Sequence, residues 1–200
     1  QAMFTRAELE GAISEGHYNP VVGVGFHPET ARTRYLDQLE LKRLEKALKV
    51  EPLHIQCMVR LFLLLGLRKS ELLSMPWSAV KLRHPEGAHI DVGMTKNGRD
   101  LKLALSPECV AIFDKLREMQ GYHEKTRDNC WVFPSRWKGY EEPVQDFRRY
   151  WRRLRDVANL QDCTAHDLRR TCGSIMIQHG VNLEYVSKVL NHTGKAITRV

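Results

Sequence analysis

The sequence predicts a mainly α-helical domain carrying one small antiparallel β-sheet, an α+β arrangement. Three observations carry that prediction. Leu36, Leu39, Leu41, Leu44 and Leu48 recur at helical spacing with charged residues between them. The stretch from Leu53 to Gly66 is apolar on nearly all sides, as a buried helix is. Only between Val80 and Leu105 do apolar and polar residues alternate with the period of a strand.

Taken in order, residues 1–18 read as the end of a helix, stopped at Asn19-Pro20 because proline drives the preceding residue out of helical geometry. Residues 19–34 hold two glycines and two prolines and read as a linker. The expected organisation is therefore 1–34 as the tail of a preceding domain with its linker, and 35–200 as a second domain. Gly66 closes the apolar helix, where a left-handed residue is often required. Val80, Leu82, Ile90, Val92, Leu101, Leu103 and Leu105 mark the strands, and Asn97-Gly98 is a tight-hairpin signal. Ser106-Pro107-Glu108 starts a helix with proline at its first position. Val144 to Ala158 reads as another helix. Thr164-Ala165-His166-Asp167 opens a further one, with threonine at the cap and an acid three residues later. Leu183, Val186, Val189 and Leu190 mark the last.

Composition narrows the function. Lys plus Arg is 31 and Asp plus Glu 24, a net charge of +7 that favours a polyanionic partner. Met58 to Leu67, the longest apolar stretch, contains Arg60 and falls well short of the ~20 residues that cross a bilayer. Residues 1–15 lack the apolar block of a secretory signal, and the absence of an initiator Met leads us to expect a fragment of a longer, cytoplasmic protein. Five scattered cysteines without a Cys-x-x-Cys pair read as reduced thiols. Cys163-x-x-His166 has no second ligand pair at zinc spacing.

Four places could carry chemistry. With Thr164 as the cap, His166 and Arg169 lie one turn apart at a helix start, where free amides and the helix dipole favour an anion. Arg169 could equally be a salt-bridge partner of Asp167 or Glu184, and His166 a capped surface residue. Arg68 directly follows the apolar helix, where a lone cation needs a partner; Glu71 can be that partner and orient it. Lys96 precedes the hairpin turn and is either solvated or able to donate a proton into a groove. His192 follows Val189-Leu190-Asn191, and Asn191 tolerates the left-handed geometry that ends helices.

Leu67-Arg68-Lys69-Ser70-Glu71-Leu72, Thr95-Lys96-Asn97-Gly98-Arg99, His166-Asp167-Leu168-Arg169-Arg170-Thr171 and Val189-Leu190-Asn191-His192 occur in this order. Together they resemble the catalytic domain of tyrosine recombinases, specifically phage and prophage integrases, over residues 35–200. The resemblance implies the integrase catalytic-domain fold, with 1–34 as the end of a core DNA-binding domain and its linker. It implies DNA cleavage and rejoining through a 3′-phosphotyrosine, without metal or nucleotide cofactor. Arg68 and Arg169 would be the two arginines of the set, His166 and His192 its histidines and Lys96 the hairpin lysine. Implied partners are double-stranded DNA, a homotetramer on DNA in the full-length protein, and accessory DNA-bending proteins, with no membrane involved. The family's tyrosine lies nine positions after the residue matching His192, which is position 201 here. The 200 residues are therefore expected to assemble the phosphate pocket without cleaving. Tyr150 and Tyr185 are poor substitutes.

Two guanidiniums suit this reaction, because in-line attack builds charge on two non-bridging oxygens that paired N–H donors can hold. His166 could accept the tyrosine proton and Lys96 protonate the leaving oxygen. A second basic feature is the segment 146–156, where Arg148, Arg149, Arg152 and Arg153 crowd around Tyr150 and Trp151. With Arg170 these arginines are candidate backbone contacts, or simply a solvated face; Trp151 reads as core. A competing reading takes Tyr185-Val186-Ser187-Lys188-Val189-Leu190-Asn191 as a recognition helix of the lactose-repressor helix-turn-helix type. That chain would be a non-catalytic DNA binder, with Ser187 and Lys188 on a protruding helix and the five site residues dispersed.

Overall fold

The apolar run Leu53–Leu65 forms a helix, α3, whose Ile55, Cys57, Met58, Val59, Leu61, Phe62 and Leu65 are all buried. So many faces can be apolar because helices pack around it. α5 (Pro107–Gly121) and α7 (Ala165–Gln178) both lie against α3, while α2 (Gln38–Leu48) packs on α6 (Arg148–Ala158). The structure, a computed structural model, describes residues 2–14, 32–94, 100–123 and 125–190. Contacts divide the chain into two units, Gln1–Arg32 and Thr33–Val200. In the first unit, α1 spans Ala2–Leu9. Residues 19–31 of the expected linker lie outside the described residues.

In the second unit, several helix starts are written in their capping residues. Asp37 accepts from the Glu40 N–H at 2.8 Å and Glu40 returns the bond to the Asp37 N–H at 3.0 Å, a reciprocal cap for α2. Arg34 donates to Glu40 and to Asp162, so the same acid ties this helix to the segment before α7. Those carboxylates raise the Arg34 pKa, Glu40 contributing most. Ser106 caps α5 with Pro107 behind it, as expected. The C-terminus of α6 ends on Asn159 in the left-handed region, and Arg43 donates to the Ala158 carbonyl at 3.0 Å, a cation at the negative end of the helix. α8 runs Leu183–Val189.

The sheet has the order β1 (Val80–Lys81), β2 (His89–Met94), β3 (Asp100–Ala104), antiparallel throughout. Ile90 pairs with Val80 on one side and Leu103 on the other, and all three side chains face the core. The Asn97-Gly98 turn lies outside the described residues.

One element differs from expectation. The helix read over Val144 to Ala158 begins only at Arg148. Val144 N–H donates to the Phe133 carbonyl at 2.8 Å and Pro143 bridges Pro134, so this stretch is extended. Asp146 then accepts from the Arg148 N–H at 2.9 Å and Phe147 turns inward. Phe147 is wholly buried between Phe62 (ring centroids 5.5 Å) and Trp151 (6.0 Å), which anchors the helix start. Trp151 is core, and its indole N–H donates to the Cys163 carbonyl at 3.0 Å. Among the described residues no helix is long and apolar enough to cross a membrane.

Candidate functional site

Three of the five predicted site residues are described, and the fold brings them together. Arg68 precedes α4, a single turn spanning Lys69–Leu73. Glu71 fixes it twice: one carboxylate oxygen accepts from the Arg68 backbone N–H and the other from its guanidinium, each at 2.7 Å. The expected partnership with Glu71 is therefore present, and the Arg68 side chain stays one-third exposed.

Arg169 sits in the second turn of α7 and is 3 % exposed. Its Nη1 donates to the Gly66 carbonyl at 2.6 Å, across a sequence distance of 103 residues. That carbonyl is free because Gly66 ends α3 in the left-handed region at φ 58°. Arg169 Nε and Nη2 are buried without a hydrogen-bond partner among the described residues. Burial, then the nearby Arg68 cation, pushes the Arg169 pKa down to about 10. It is still a cation at neutral pH.

His166 lies one turn earlier on α7 and is exposed. Partial desolvation, then the guanidiniums of Arg170, Arg169 and Arg68, hold its pKa below the ordinary 6.5; Asp167 opposes them. The helix start is braced from beneath. Asp167, wholly buried, accepts from the Thr164 N–H and hydroxyl, each at 2.8 Å, and from Arg170 Nη1 at 2.7 Å. Asp167 thus pairs with Arg170 rather than Arg169, and Glu184 pairs with Lys188. Thr171 closes the brace, accepting from the Leu36 N–H at 2.9 Å. Lys96 and His192 lie outside the described residues.

The basic helix divides. Arg149 and Arg152 are exposed, and Arg148 is exposed beside Asp146 at 3.1 Å. Arg153 is engaged by Glu51, a residue 5 % exposed by side chain, through a two-point ion pair. Arg170 is held by Asp167. Both arginines carry structural bonds, Arg153 to an acid 102 residues away and Arg170 to one three residues away.

Gly66 ends α3 as expected, but the packing role of two glycines was not foreseen. A Cβ on Gly66 would stand 2.5 Å from Leu190 Cδ2, and one on Gly173 2.8 Å from Leu190 Cδ1. Leu190 is wedged between them and seats the end of α8 against the arginine site. Gly66 was legible only as a helix end, and Gly173, inside a helix, gave no signal beyond its poor propensity. The helix-turn-helix reading required dispersed site residues. Arg68, His166 and Arg169 are instead adjacent; Lys188 is exposed as that reading expected, while Ser187 is half-buried.

A central buried helix, a three-stranded sheet and two converging arginines describe the fold of a tyrosine recombinase catalytic domain. A lambda integrase tetramer bound to a Holliday junction superposes with a TM-score of 0.66 at 18% identity, over 98% of this chain and 56% of that one. Residues 34–200 match the phage integrase family, and the chain belongs to it. An integrase of Salmonella phage P22 is 28% identical over 180 residues, 85% of this chain and 43% of that protein. A tyrosine recombinase XerD of Rhizobium meliloti is 25% identical over 154 residues, 74% of this chain and 46% of that one. The chain spans about half the length of such relatives.

Proposed function

We propose that this chain is the catalytic portion of a site-specific DNA recombinase that cleaves and rejoins strands through a 3′-phosphotyrosine. Residues 35–200 form the catalytic domain, and 1–34 end a DNA-binding domain and linker. Arg68 and Arg169 grip the two non-bridging oxygens of the scissile phosphate. His166 and His192 add donors, with His166 neutral in the free protein and able to accept the tyrosine proton. Lys96 protonates the leaving 5′-oxygen. The attacking tyrosine falls at position 201, and the full-length protein works as a tetramer on two duplexes, with accessory DNA-bending proteins where the site requires them.

The observation that carries this reading is the pair of buried Arg169 donors, without hydrogen-bond partners among the described residues, beside Arg68. Leaving charged donors unpaired in a protein interior is expensive. A phosphate diester offers two acceptors in the geometry a guanidinium fork matches, and its charge offsets the repulsion between the arginines. Removing one such donor costs about 2.7–4 kcal/mol of transition-state stabilisation, ~10²–10³ in rate.

The test uses the full-length protein and a nicked duplex carrying its recombination site, which traps the covalent intermediate. A protein–DNA adduct surviving denaturing electrophoresis is expected. It should form ~10²–10³ more slowly with Arg169→Ala, and be lost when position 201 is changed to phenylalanine. No adduct from the unaltered protein, or one insensitive to Arg169, overturns the proposal.

A further inference from the structure

Arg34 is the second residue of the Thr33–Val200 unit, and every nitrogen of its guanidinium is engaged. Nε donates to Asp162 Oδ2 at 2.7 Å and Nη2 to Asp162 Oδ1 at 3.3 Å. Nη1 and Nη2 donate to the two Glu40 carboxylate oxygens at 2.8 and 2.6 Å, and Nη1 also donates to the Tyr35 carbonyl. Two residues on, Leu36 is buried, and its N–H donates to Thr171 Oγ1 at 2.9 Å. Thr171 is wholly buried and passes the bond on, its hydroxyl donating to the Asp167 carbonyl at 2.7 Å.

Residues 34–36 therefore form a strap with two fastenings, and the fastenings bracket the site. Asp162 lies four residues before His166, and Thr171 two residues after Arg169. The segment leading into α7 has one other tie to the core, the Trp151 indole N–H on the Cys163 carbonyl at 3.0 Å. Stability alone does not account for the outer fastening. The Asp162 side chain is 65% exposed, and ion pairs open to water contribute little to folding. What a two-point arginine–carboxylate pair supplies is fixed geometry, and Arg34 makes two such pairs at once. The Glu40 half is the better shielded, and Arg34 is the main reason that the Glu40 carboxyl stays below its ordinary range. Because Glu40 also closes the cap of α2, the clip sets the start of α7 against the start of α2.

We propose that Arg34 is a positioning residue for strand cleavage: its clip on Asp162 and Glu40, with Leu36 on Thr171, seats the start of α7 so that His166 and Arg169 meet the scissile phosphate in register. Arg34 touches neither the DNA nor the reacting atoms in this role. It acts through α7, where a small displacement of the Arg169 fork is costly because catalysis depends on donors already in place. This inference rests on the recombinase reading, and the test separates the two.

The full-length protein is compared with Arg34→Ala, Arg34→Lys, Asp162→Ala and the Arg34→Ala/Asp162→Ala double variant. Adduct formation on the nicked duplex is followed at saturating DNA, and binding is measured separately by fluorescence anisotropy. Arg34→Ala should form adduct about ten-fold more slowly, with affinity changed by less than about two-fold. Arg34→Lys should remain slow, because one ammonium cannot make two-point pairs with two carboxylates. The double variant should be no slower than Arg34→Ala, since one clip is broken in both. In the 200-residue chain, NMR titration of His166 gives a readout independent of cleavage. Its midpoint should rise toward 6.5 in Arg34→Ala and equally in Arg34→Lys, which keeps the charge, because a loosened helix start is rehydrated and drawn away from the neighbouring guanidiniums. Unaltered adduct rates in both Arg34 variants overturn the proposal and leave the recombinase reading standing. A lowered melting temperature with slower cleavage but an unmoved His166 midpoint makes Arg34 a stabiliser only, and also overturns it. If the unaltered protein forms no adduct, both readings fall.

Discussion

Replacing Gly66 by alanine tests whether the corner that feeds Arg169 is as tightly specified as it looks. Two penalties add there. A non-glycine residue at φ 58° pays about 1–2 kcal/mol for the left-handed conformation. The new Cβ also meets Leu190 Cδ2 at 2.5 Å and Cys172 Sγ at 3.1 Å. Leu190 is 3% exposed, and its other methyl already faces Gly173, so rotating away from one glycine drives it into the other. Overpacking of that kind costs about 1–3 kcal/mol. The expected loss is thus ~2–5 kcal/mol, a large share of the ~5–15 kcal/mol that holds a domain folded. Gly139 supplies the control, with φ 62° and nothing within 4 Å of its Cβ position. Gly139→Ala should show the conformational penalty alone. Urea denaturation of both variants, with Leu190→Ala and the Gly66→Ala/Leu190→Ala double variant, completes a cycle. The two changes should be non-additive by about 1–3 kcal/mol, because removing Leu190 removes the clash. Equal losses for Gly66→Ala and Gly139→Ala, or strict additivity in the cycle, would refute the reasoning.

Further outcomes follow from the same geometry. His166 has a depressed pKa, so the unfolded chain takes up its proton at a higher pH than the folded one does. Its contribution to stability is therefore present above about 6.5 and falls as pH drops toward the folded value. An NMR titration should place its midpoint below 6.5, moving up in Arg169→Ala; a midpoint above 6.5 contradicts the cationic surroundings. Asp167→Ala leaves Thr164 and Arg170 without their shared acceptor and should cost about 2–3 kcal/mol in urea denaturation; a loss below about 0.5 kcal/mol would mean the brace is idle. Cys57, Cys109, Cys163 and Cys172 are buried with pKa values raised by desolvation, Cys163 to about 12 and Cys172 to about 11. Cys130 is exposed, so iodoacetamide should label it first in the folded chain. Mass spectrometry locates the label, and early modification of a buried cysteine contradicts the packing.

Elements fixed by neighbours in sequence were legible, and those fixed across it were not. α3 announced itself because burial on all sides needs apolar residues on all sides, and the start of α7 was visible in Thr164 and Asp167, three residues apart. The start of α6 was misjudged because Val144 looks helical until Phe133 supplies a strand-like partner. Arg153 looked like a DNA contact because Glu51, which engages it, lies 102 residues away. The adjacency of Arg68 and Arg169 is what the resemblance carried by the motifs implies. The means of achieving it was hidden, because it depends on a backbone carbonyl at Gly66, and carbonyls leave no trace in a sequence.

The most direct measurement is a crystal structure of the chain soaked with tungstate, a tetrahedral dianion that scatters strongly. The account predicts one anion bonded to Arg169 Nε and Nη2 and to the Arg68 guanidinium, with the Gly66 carbonyl still holding Nη1. Anion density confined to other surfaces, with those two Arg169 nitrogens satisfied by protein carbonyls, would contradict it.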